Sequence, residues 1–324
     1  MEIIDFDHLP RDLLPQLGSL GLLNGDTPLG IDFVQFLRRF RTGALPQAEY
    51  YAVYAVEDGT ILSRVEVTRP RFTTEDAPQT VAGIADVSTR PDAVRRGLAG
   101  KLLEEVHRRE AELGYHWAIL WTRRSWGAHR LYERLGYRDV HSPASALRPL
   151  PHRRRRRLPK GYTWVPAQRQ DAARIERLFA GATRGRLGFV PRPRGSIALK
   201  FELGWRVPEN HRILSYRGLP VGYAYLNVSP FHVGTSEVLV EAPEHAGPMI
   251  EALEATAKGG SFSLANTTFI RDAEQEFRRR GYAIYPSAHL TLMAKSLASD
   301  GRTPEDLEVV CRDRRFSCHR GDVF

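Results

Sequence analysis

The sequence is poor in cysteine and has no long apolar run, and each absence excludes a class of protein. Its 324 residues include two cysteines, Cys311 and Cys318, which are too few for the disulfide framework of a small secreted domain and favour a reducing compartment. No stretch approaches the roughly 18 apolar residues of a membrane-spanning helix. The N-terminus is acidic and amphipathic, unlike a signal peptide. We therefore expect a cytoplasmic protein that does not bind membranes.

Metal-ligand patterns are also scarce. Cys311, Cys318 and His319 lie close together near the C-terminus, but two or three ligands do not make a closed zinc site. Structural thiols are favoured over metal ligands. We expect no metal cofactor.

Positive charge is in excess, with a formal net charge of +9. Five of the positive charges form one block, Arg153–Arg157, with prolines on both sides. Such a block could dock nucleic acid, but no aromatic residues that could stack on bases are interspersed with the arginines. A solvated linker between domains is therefore favoured over a nucleic-acid contact.

One order of predicted elements occurs twice, once on each side of the basic block. Alternating apolar residues indicate strands, and apolar residues at helical spacing indicate helices. In the first half the segments are "AEYYAVYAVEDGTILSRVEVTR", "TVAGIADVS", a helix, "HWAILWT" and "GAHRLYERLGY". In the second half they are "HRILSYRGLPVGYAYLNV", "SEVLVEA", "AGPMIEALEATAKGG", "SFSLAN" and "RDAEQEFRRRGYAIY". We predict an internal duplication of about 140 residues, with domains at 1–148 and 161–298, a linker at 149–160 and a tail at 299–324.

A turn rich in arginine and glycine separates the strand "TVAGIADVS" from the helix that follows it. A helix start offers unpaired backbone N–H groups and roughly half a positive charge. The arginines add charge, and the glycines allow a ligand to approach the backbone closely. The segment from Arg95 to Gly100 therefore predicts a cradle for a phosphate group. It is not a nucleotide P-loop, because no Ser or Thr follows Lys101.

The element order and the segment "VRRGLA" resemble the GNAT superfamily of acyl-CoA-dependent N-acyltransferases. The resemblance covers Tyr51 to Tyr137 in motif and the second half in topology, and the domain plan is similar to that of tandem GNAT proteins. Val94 stands where the family pattern has Arg or Gln. The resemblance implies an α/β fold of two tandem GNAT domains, each a mixed, mostly antiparallel twisted sheet flanked by helices. It also implies acetyl-CoA as co-substrate.

The resemblance further implies which residues bind acetyl-CoA. In the family, the strand before the loop splays from its neighbour, binds the pantetheine arm and directs an N–H at the thioester carbonyl. Ser125 stands where the family usually has an Asn near this arm. The implied residues are Val87, Ser88, Thr89, Arg95, Arg96, Gly97, Leu98, Ala99, Gly100 and Ser125.

A general acid is implied as well. In the family it is usually the tyrosine of an A-x-x-L-Y segment, here "AHRLY", which assigns Tyr132. Its hydroxyl would protonate the thiolate of the leaving coenzyme A. The alternative is a purely structural aromatic that packs beside Leu131 and Leu135.

The general base is open between four groups. Asp86 is the first candidate, because alternation puts it on the apolar strand face of Ala82 and Ile84, where its pKa could be raised. Glu66 and a water relay are alternatives. The C-terminal carboxylate of Phe324 is a further one, since enzymes of the enhanced-intracellular-survival type, which the loop resembles, use their chain terminus in this way.

The second half is predicted to be degenerate. Phe277 occupies the position that corresponds to Tyr132, and the segment "EAPEHAGPM" has glutamates where the first half has arginines. Carboxylates there would repel a pyrophosphate. This half is expected to shape or cover the acceptor site.

Together these features predict an acetyl-CoA-dependent N-acetyltransferase that transfers the acetyl group directly to a primary amine of a small molecule or protein. The backbone of Val87–Thr89 would polarise the thioester. The alternatives are a non-catalytic acyl-CoA-binding sensor and a nucleic-acid-associated protein that docks through Arg153–Arg157. The chain is expected to be a monomer or a homodimer, and the sequence does not identify the acceptor.

Overall fold

The computed structural model describes residues 1–24, 50–74, 79–150, 157–188, 192, 194–202, 204, 206–229, 232–257, 260–265, 267–298, 301–316 and 318. The chain divides into two compact units. The first contains Met1–His141 and His289–Val309, and the second contains Ser142–Ala288 and the segment that begins at Val310. Each unit has its own seven-stranded sheet.

The described residues of the first half of the chain supply nine strands and three helices. The strands are β1 (Glu2–Asp5), β2 (Tyr50–Glu57), β3 (Thr60–Thr68), β4 (Arg71–Phe72), β5 (Gln79–Thr80), β6 (Ala82–Thr89), β7 (Trp117–Arg123), β8 (Arg138–His141) and β9 (Ala144–Pro149). The helices are α1 (Leu14–Asn24), α2 (Leu98–Glu112) and α3 (Gly127–Arg134).

The second half supplies the remaining elements. The strands are β10 (Tyr162–Pro166), β11 (His211–Tyr216), β12 (Leu219–Val228), β13 (His232–Val240), β14 (Ser261–Ala265), β15 (Ala283–Pro286) and β16 (Leu290–Ser296). The helices are α4 (Ala172–Ala182), α5 (Ser196–Glu202), α6 (Ala246–Thr256), α7 (Thr267–Asp272), α8 (Glu274–Arg279) and α9 (Pro304–Arg312).

The two sheets have the same topology. The strand order is β1-β2-β3-β6-β7-β16-β8 in the first unit and β10-β11-β12-β13-β14-β9-β15 in the second. The fourth and fifth strands of each order are parallel, and the other neighbours are antiparallel. The predicted fold class, mixed twisted sheets flanked by helices, is confirmed.

The strand hairpins form where the sequence predicts them. Asp58 and Gly59 both have positive φ, 48° and 68°, as a two-residue type I′ turn requires, and they join β2 to β3. Arg217 and Gly218, with φ of 49° and 82°, join β11 to β12 in the same way. The matching turns reflect the duplication of the element order.

One apolar face of each sheet packs against a long helix. In the first unit Leu102, Leu103 and Val106 of α2 are fully buried against apolar side chains of the central strands. In the second unit Ile250 and Leu253 of α6 are equally buried. Burying such side chains stabilises each unit by about 1.5–3 kcal/mol per residue.

The sixth strand of each sheet comes from a distant part of the sequence. β16 lies between β7 and β8 of the first sheet, although it follows β15 in the chain. Conversely, β9 lies in the second sheet, although it directly follows β8. The first core therefore includes Met293, close to the C-terminal end of the chain. The sequence analysis did not include this exchange.

The exchange predicts that residues 1–142 cannot form a complete unit. Without β16, the facing edges of β7 and β8 are left unpaired. Because Leu292 pairs with His141 in antiparallel register, residues 291–298 can be joined after residue 142 through Asn-Gly, a two-residue hairpin turn. We expect this fusion to unfold cooperatively in thermal circular dichroism and the fragment 1–142 to show no cooperative transition. Identical cooperative melts would show that β16 is dispensable.

Candidate functional site

Strands β6 and β7 separate soon after they begin to pair. Their parallel ladder consists of Ala82 with Ala118 and Gly83 with Ile119. From Ile84 onward, the edge of β6 that faces β7 has no strand partner in the described part of the chain. Val87, Ser88 and Thr89 lie on this part of β6, and their role in binding a ligand stays a prediction.

The other edge of β6 contains a β-bulge. Glu66 of β3 pairs with Ala85, and Arg64 pairs with Ser88, so β6 has one residue more than β3 between these pairs. Asp86, within the bulge, has a φ of 48°. A bulge of this kind re-aims side chains and often lies beside a functional site.

The side-chain alternation predicted for β6 is wrong at Asp86, because the bulge interrupts it. Alternation predicts that Asp86 shares a face with Ala82 and Ile84. Instead, Val87 packs against the core that contains Ala82 and Ile84, because the extra residue shifts the side-chain pattern by one position. Asp86 is directed to a different group of side chains.

The turn before α2 has the backbone geometry of an anion cradle. Arg95 and Gly97 have positive φ, 65° and 77°, and α2 begins at Leu98. Left-handed residues next to a helix start turn successive N–H groups toward one side. A Cβ at Gly97 would have no neighbour within 4 Å, so there is open space here. We call Arg95–Gly100 the phosphate loop.

The side chain of Arg96 is already paired within the first unit. Its guanidinium donates to both carboxylate oxygens of Glu57 at 2.7 and 2.9 Å. Both side chains are substantially exposed, so this pair is weak. Val94 is exposed as well. Ser125 lies exposed in the turn between β7 and α3. Trp126 occupies the N-cap position of α3.

Tyr132 lies on α3 with its ring in the core and 6% of its surface exposed. Its ring contacts that of Tyr137 edge-on, with 5.7 Å between centroids. Burial raises the pKa of Tyr132, so the hydroxyl keeps its proton throughout the physiological range. No described residue forms a hydrogen bond to this hydroxyl. Tyr132 is therefore both a core residue and an available proton donor.

A buried ionic cluster, formed by Tyr50, Arg64, Glu66 and Asp86, lies beside the bulge. The guanidinium of Arg64 is fully buried; its Nη2 donates to Asp86 Oδ2, and its Nη1 lies 3.3 Å from Glu66 Oε1. Two carboxylates thus face one guanidinium. Burial, followed by the negative charge of Asp86, raises the pKa of Glu66 to about 8. The sequence analysis named both carboxylates but not the arginine that joins them.

The second unit repeats the packing of α3 with a phenylalanine in place of the tyrosine. The N–H of Tyr137 donates to the carbonyl of Tyr132 at 3.0 Å, and the N–H of Tyr282 donates to that of Phe277 at 3.0 Å. Phe277 and Tyr282 also contact edge-on, at 5.0 Å. Phe277 is thus the structural counterpart of Tyr132. The turn between β13 and α6, all of which is described, contains no residue with positive φ.

Several other predicted features fall partly outside the described residues. Arg153–Arg156, His319 and Phe324 lie outside them, and Arg157 is exposed. Cys311 and Cys318 are buried thiols without a disulfide. Within the described ranges there is no group of three or more His, Cys, Asp or Glu side chains able to hold a metal. No helix found there is long and apolar enough to cross a membrane.

Comparisons with known proteins agree with this geometry. Residues 35–140, which contain β6, the phosphate loop and Tyr132, match the family model of the acetyltransferase (GNAT) domain. A comparison with curated proteins gave no significant match. The sequence-predicted resemblance to GNAT proteins is confirmed for this domain.

Similar solved structures cover nearly the whole chain. A probable N-acyltransferase from Enterococcus faecalis V583 is 16% identical over 91% of this chain and 72% of its own, with a TM-score of 0.63. A GCN5-related N-acetyltransferase from Kribbella flavida is 17% identical over 90% of this chain and 70% of its own, with a TM-score of 0.60. A tandem GNAT protein from the clavulanic acid biosynthesis pathway is 14% identical over 91% of this chain and 98% of its own, with a TM-score of 0.56. The chain therefore has a GNAT-like fold across both units.

The raised pKa of Glu66 predicts a pH-dependent stability. A carboxyl that binds its proton more tightly in the folded state stabilises the protein fully below the unfolded pKa, about 4.3, and loses this contribution as the pH rises through about 8. Glu66→Gln removes the titration. Between pH 5 and pH 8 we expect the free energy of unfolding of the wild type to fall by about 2–4 kcal/mol relative to Glu66→Gln in urea titrations. Parallel pH profiles would contradict the raised pKa.

Proposed function

We propose that the protein is an acetyl-CoA-dependent N-acetyltransferase that transfers an acetyl group directly to a primary amine. The observation that carries this proposal is a combination within the region that matches the GNAT domain. Strand β6 separates from β7 beside a bulge, and the left-handed turn at the start of α2 follows directly. Such an arrangement offers fixed N–H groups to a thioester at one end and to a pyrophosphate at the other.

The co-substrate would bind along β6. Its pyrophosphate would accept hydrogen bonds from backbone N–H groups of the phosphate loop, with Arg95 and Arg96 adding charge. The pantetheine arm would lie against the uncovered edge of Val87–Thr89, and Ser125 would lie near it. An N–H at the bulge would then polarise the thioester carbonyl, where negative charge develops in the transition state.

Tyr132 would act as the general acid. As the tetrahedral adduct collapses, the C–S bond breaks and the sulfur takes the phenolic proton. A thiol with a pKa of about 8.5 is a fair leaving group, and protonation makes it a better one. A buried tyrosine with a raised pKa remains protonated until this step.

The second unit would not bind acetyl-CoA. Its turn has Glu241 and Glu244 in place of arginines and no left-handed residues, and Phe277 has no hydroxyl to donate. The unit keeps the fold that the core requires and lacks the groups that the chemistry requires. We propose that it shapes or covers the site of the acceptor.

The function is tested by free-thiol release from acetyl-CoA with a panel of amines that includes lysine, spermidine, an aminoglycoside and a lysine-containing peptide. An amine-dependent release of one thiol per acetylated product supports the transferase. Tight binding of acetyl-CoA without turnover across the panel would instead favour a sensor.

Removing the hydroxyl of Tyr132 is expected to affect turnover alone. Tyr132→Phe keeps the ring in the core and removes the proton donor, so turnover should fall about a hundredfold or more. Acetyl-CoA affinity and melting temperature should change little. The matched control is Tyr137→Phe, which removes a hydroxyl hydrogen-bonded to His107 at 2.8 Å. This control should lower stability by about 1 kcal/mol and retain turnover. Full activity in Tyr132→Phe would exclude it as the acid.

Acetyl-CoA should bind at one site per chain, through the phosphate loop. Calorimetry should give a stoichiometry near one, and Arg96→Glu should weaken binding at least about tenfold because it opposes a carboxylate to the pyrophosphate. Arg157→Glu makes the same charge change in an exposed residue outside the loop, and it should bind as the wild type does. Two equivalent sites, or equal losses in both variants, would contradict the assignment.

A further inference from the structure

The ionic cluster lies beside the backbone that would hold the thioester. Glu66 pairs across the strand with Ala85, so it lies about 5 Å from the start of the bulge. The bulge directs Asp86 to Arg64 and away from the core face. The cluster is therefore next to the reacting centre and on the face of the sheet opposite α2.

When both carboxylates are ionised, the cluster has one negative charge more than its single guanidinium balances. β3 contributes Arg64 and Glu66, and β6 contributes Asp86. β2 contributes Tyr50 and Tyr54. Burial raises the pKa of Tyr50 well above its ordinary value, so this phenol is neutral at physiological pH. Helix α1, which also packs against β3 and β6, has no ionisable side chain. Two carboxylates thus compete for a single guanidinium.

The two carboxylates are not equivalent. Asp86 accepts a hydrogen bond from Arg64, whereas Glu66 Oε1 has no hydrogen-bond donor among the described residues and lies 3.3 Å from Arg64 Nη1. Glu66 is also the more buried side chain, 9% exposed compared with 16%. A buried carboxylate with one oxygen left without a donor, and with a second carboxylate beside it, readily takes up a proton.

We propose that Glu66 accepts the proton that the ammonium group of the acceptor must lose, while Arg64 and Asp86 are positioning residues that adjust its proton affinity. This inference rests on the transferase function proposed above and assigns the base that the sequence left open. It favours cationic amines, because an ammonium group balances the second negative charge that the cluster carries when Glu66 is ionised.

The proton balance of the transfer requires such an acceptor. An ammonium group has three protons and the amide product keeps one. Glu66 takes the first proton and releases it to solvent, which frees the nitrogen lone pair to attack the thioester carbon. The C–N bond forms and the C–S bond breaks, with the electron pair going to sulfur. Tyr132 protonates the sulfur, and the second nitrogen proton restores the phenol.

The raised pKa of Glu66, about 8, makes this transfer feasible. Proton transfer from a lysine-like ammonium to an ordinary carboxylate is unfavourable by about a millionfold, whereas transfer to a group with this pKa is unfavourable by only about 250-fold. The cost of the higher pKa is that only about one tenth of the sites are ionised at pH 7.

The test is a pH profile of kcat/KM with acetyl-CoA and the fastest amine of the panel, for the wild type and three variants. Glu66→Gln should lose turnover at least about a hundredfold at every pH. Asp86→Asn can keep the left-handed backbone, so it should lose less than tenfold at the plateau. Because it removes a negative neighbour of Glu66, its acidic limb should move to lower pH by about one unit.

The third variant is a matched control. Glu110→Gln removes another fully buried carboxylate, one that binds Arg69 and Tyr51 at 2.7 to 2.9 Å. It should lower stability and leave the shape of the pH profile as it is in the wild type.

The possible outcomes separate the inference from the function on which it rests. Loss of turnover in Asp86→Asn with retention in Glu66→Gln would make Asp86 the base and overturn the inference alone. Turnover in both variants with an unshifted acidic limb would also overturn it. A wild type that acetylates none of the amines would overturn the proposed function together with the inference.

Discussion

The pairing of Arg64 with Asp86 is the interaction on which the candidate site depends. Asp86 has a left-handed backbone, which costs a non-glycine residue about 1–2 kcal/mol, and the buried guanidinium offsets this cost. The bulge that results moves Val87 onto the core face. In the proposed mechanism, the same bulge aims an N–H at the thioester and holds Glu66 beside it. One ion pair would thus connect the geometry of the strand to the chemistry of the base.

Comparison of the two units distinguishes the features that folding requires from those that catalysis would require. Both units have the same sheet order and a parallel central pair of strands. Both also have an edge-on aromatic contact, between Tyr132 and Tyr137 in the first unit and between Phe277 and Tyr282 in the second. The ring of Phe277 fills the same place as that of Tyr132, because a core loses stability when an aromatic is removed. A hydroxyl and a left-handed turn contribute little to packing. The second unit has the same sheet order without either feature.

Much of the fold could be predicted from the sequence because its signals are local. The Asp-Gly turn, the alternating strands and the glycine after α3 each determine the local backbone structure around them. The exchange of β9 and β16 could not be predicted, because an apolar strand does not encode which of two similar sheets it joins. Pairing across the chain is decided by the edges available in three dimensions. The domain ranges drawn from the sequence remain a prediction.

The site was predictable only in part, for a different reason. The phosphate loop and Tyr132 belong to short motifs, whereas the bulge breaks the alternation from which the direction of Asp86 was inferred. Arg64 lies in the mostly apolar segment "ILSRVEV", where alternation gives no indication of a buried charge. A buried arginine in a strand implies a carboxylate partner, and the fold supplies two.

A crystal structure of the full chain with a non-hydrolysable acetyl-CoA analogue would test the proposed site most directly. We expect one analogue per chain, with its pyrophosphate on the backbone of Arg95–Gly100. Its carbonyl oxygen should lie within hydrogen-bond distance of an N–H in Val87–Thr89, and Tyr132 should face the sulfur atom. An analogue bound at the turn before α6, or one whose carbonyl lies away from β6, would contradict the proposed binding of acetyl-CoA along β6.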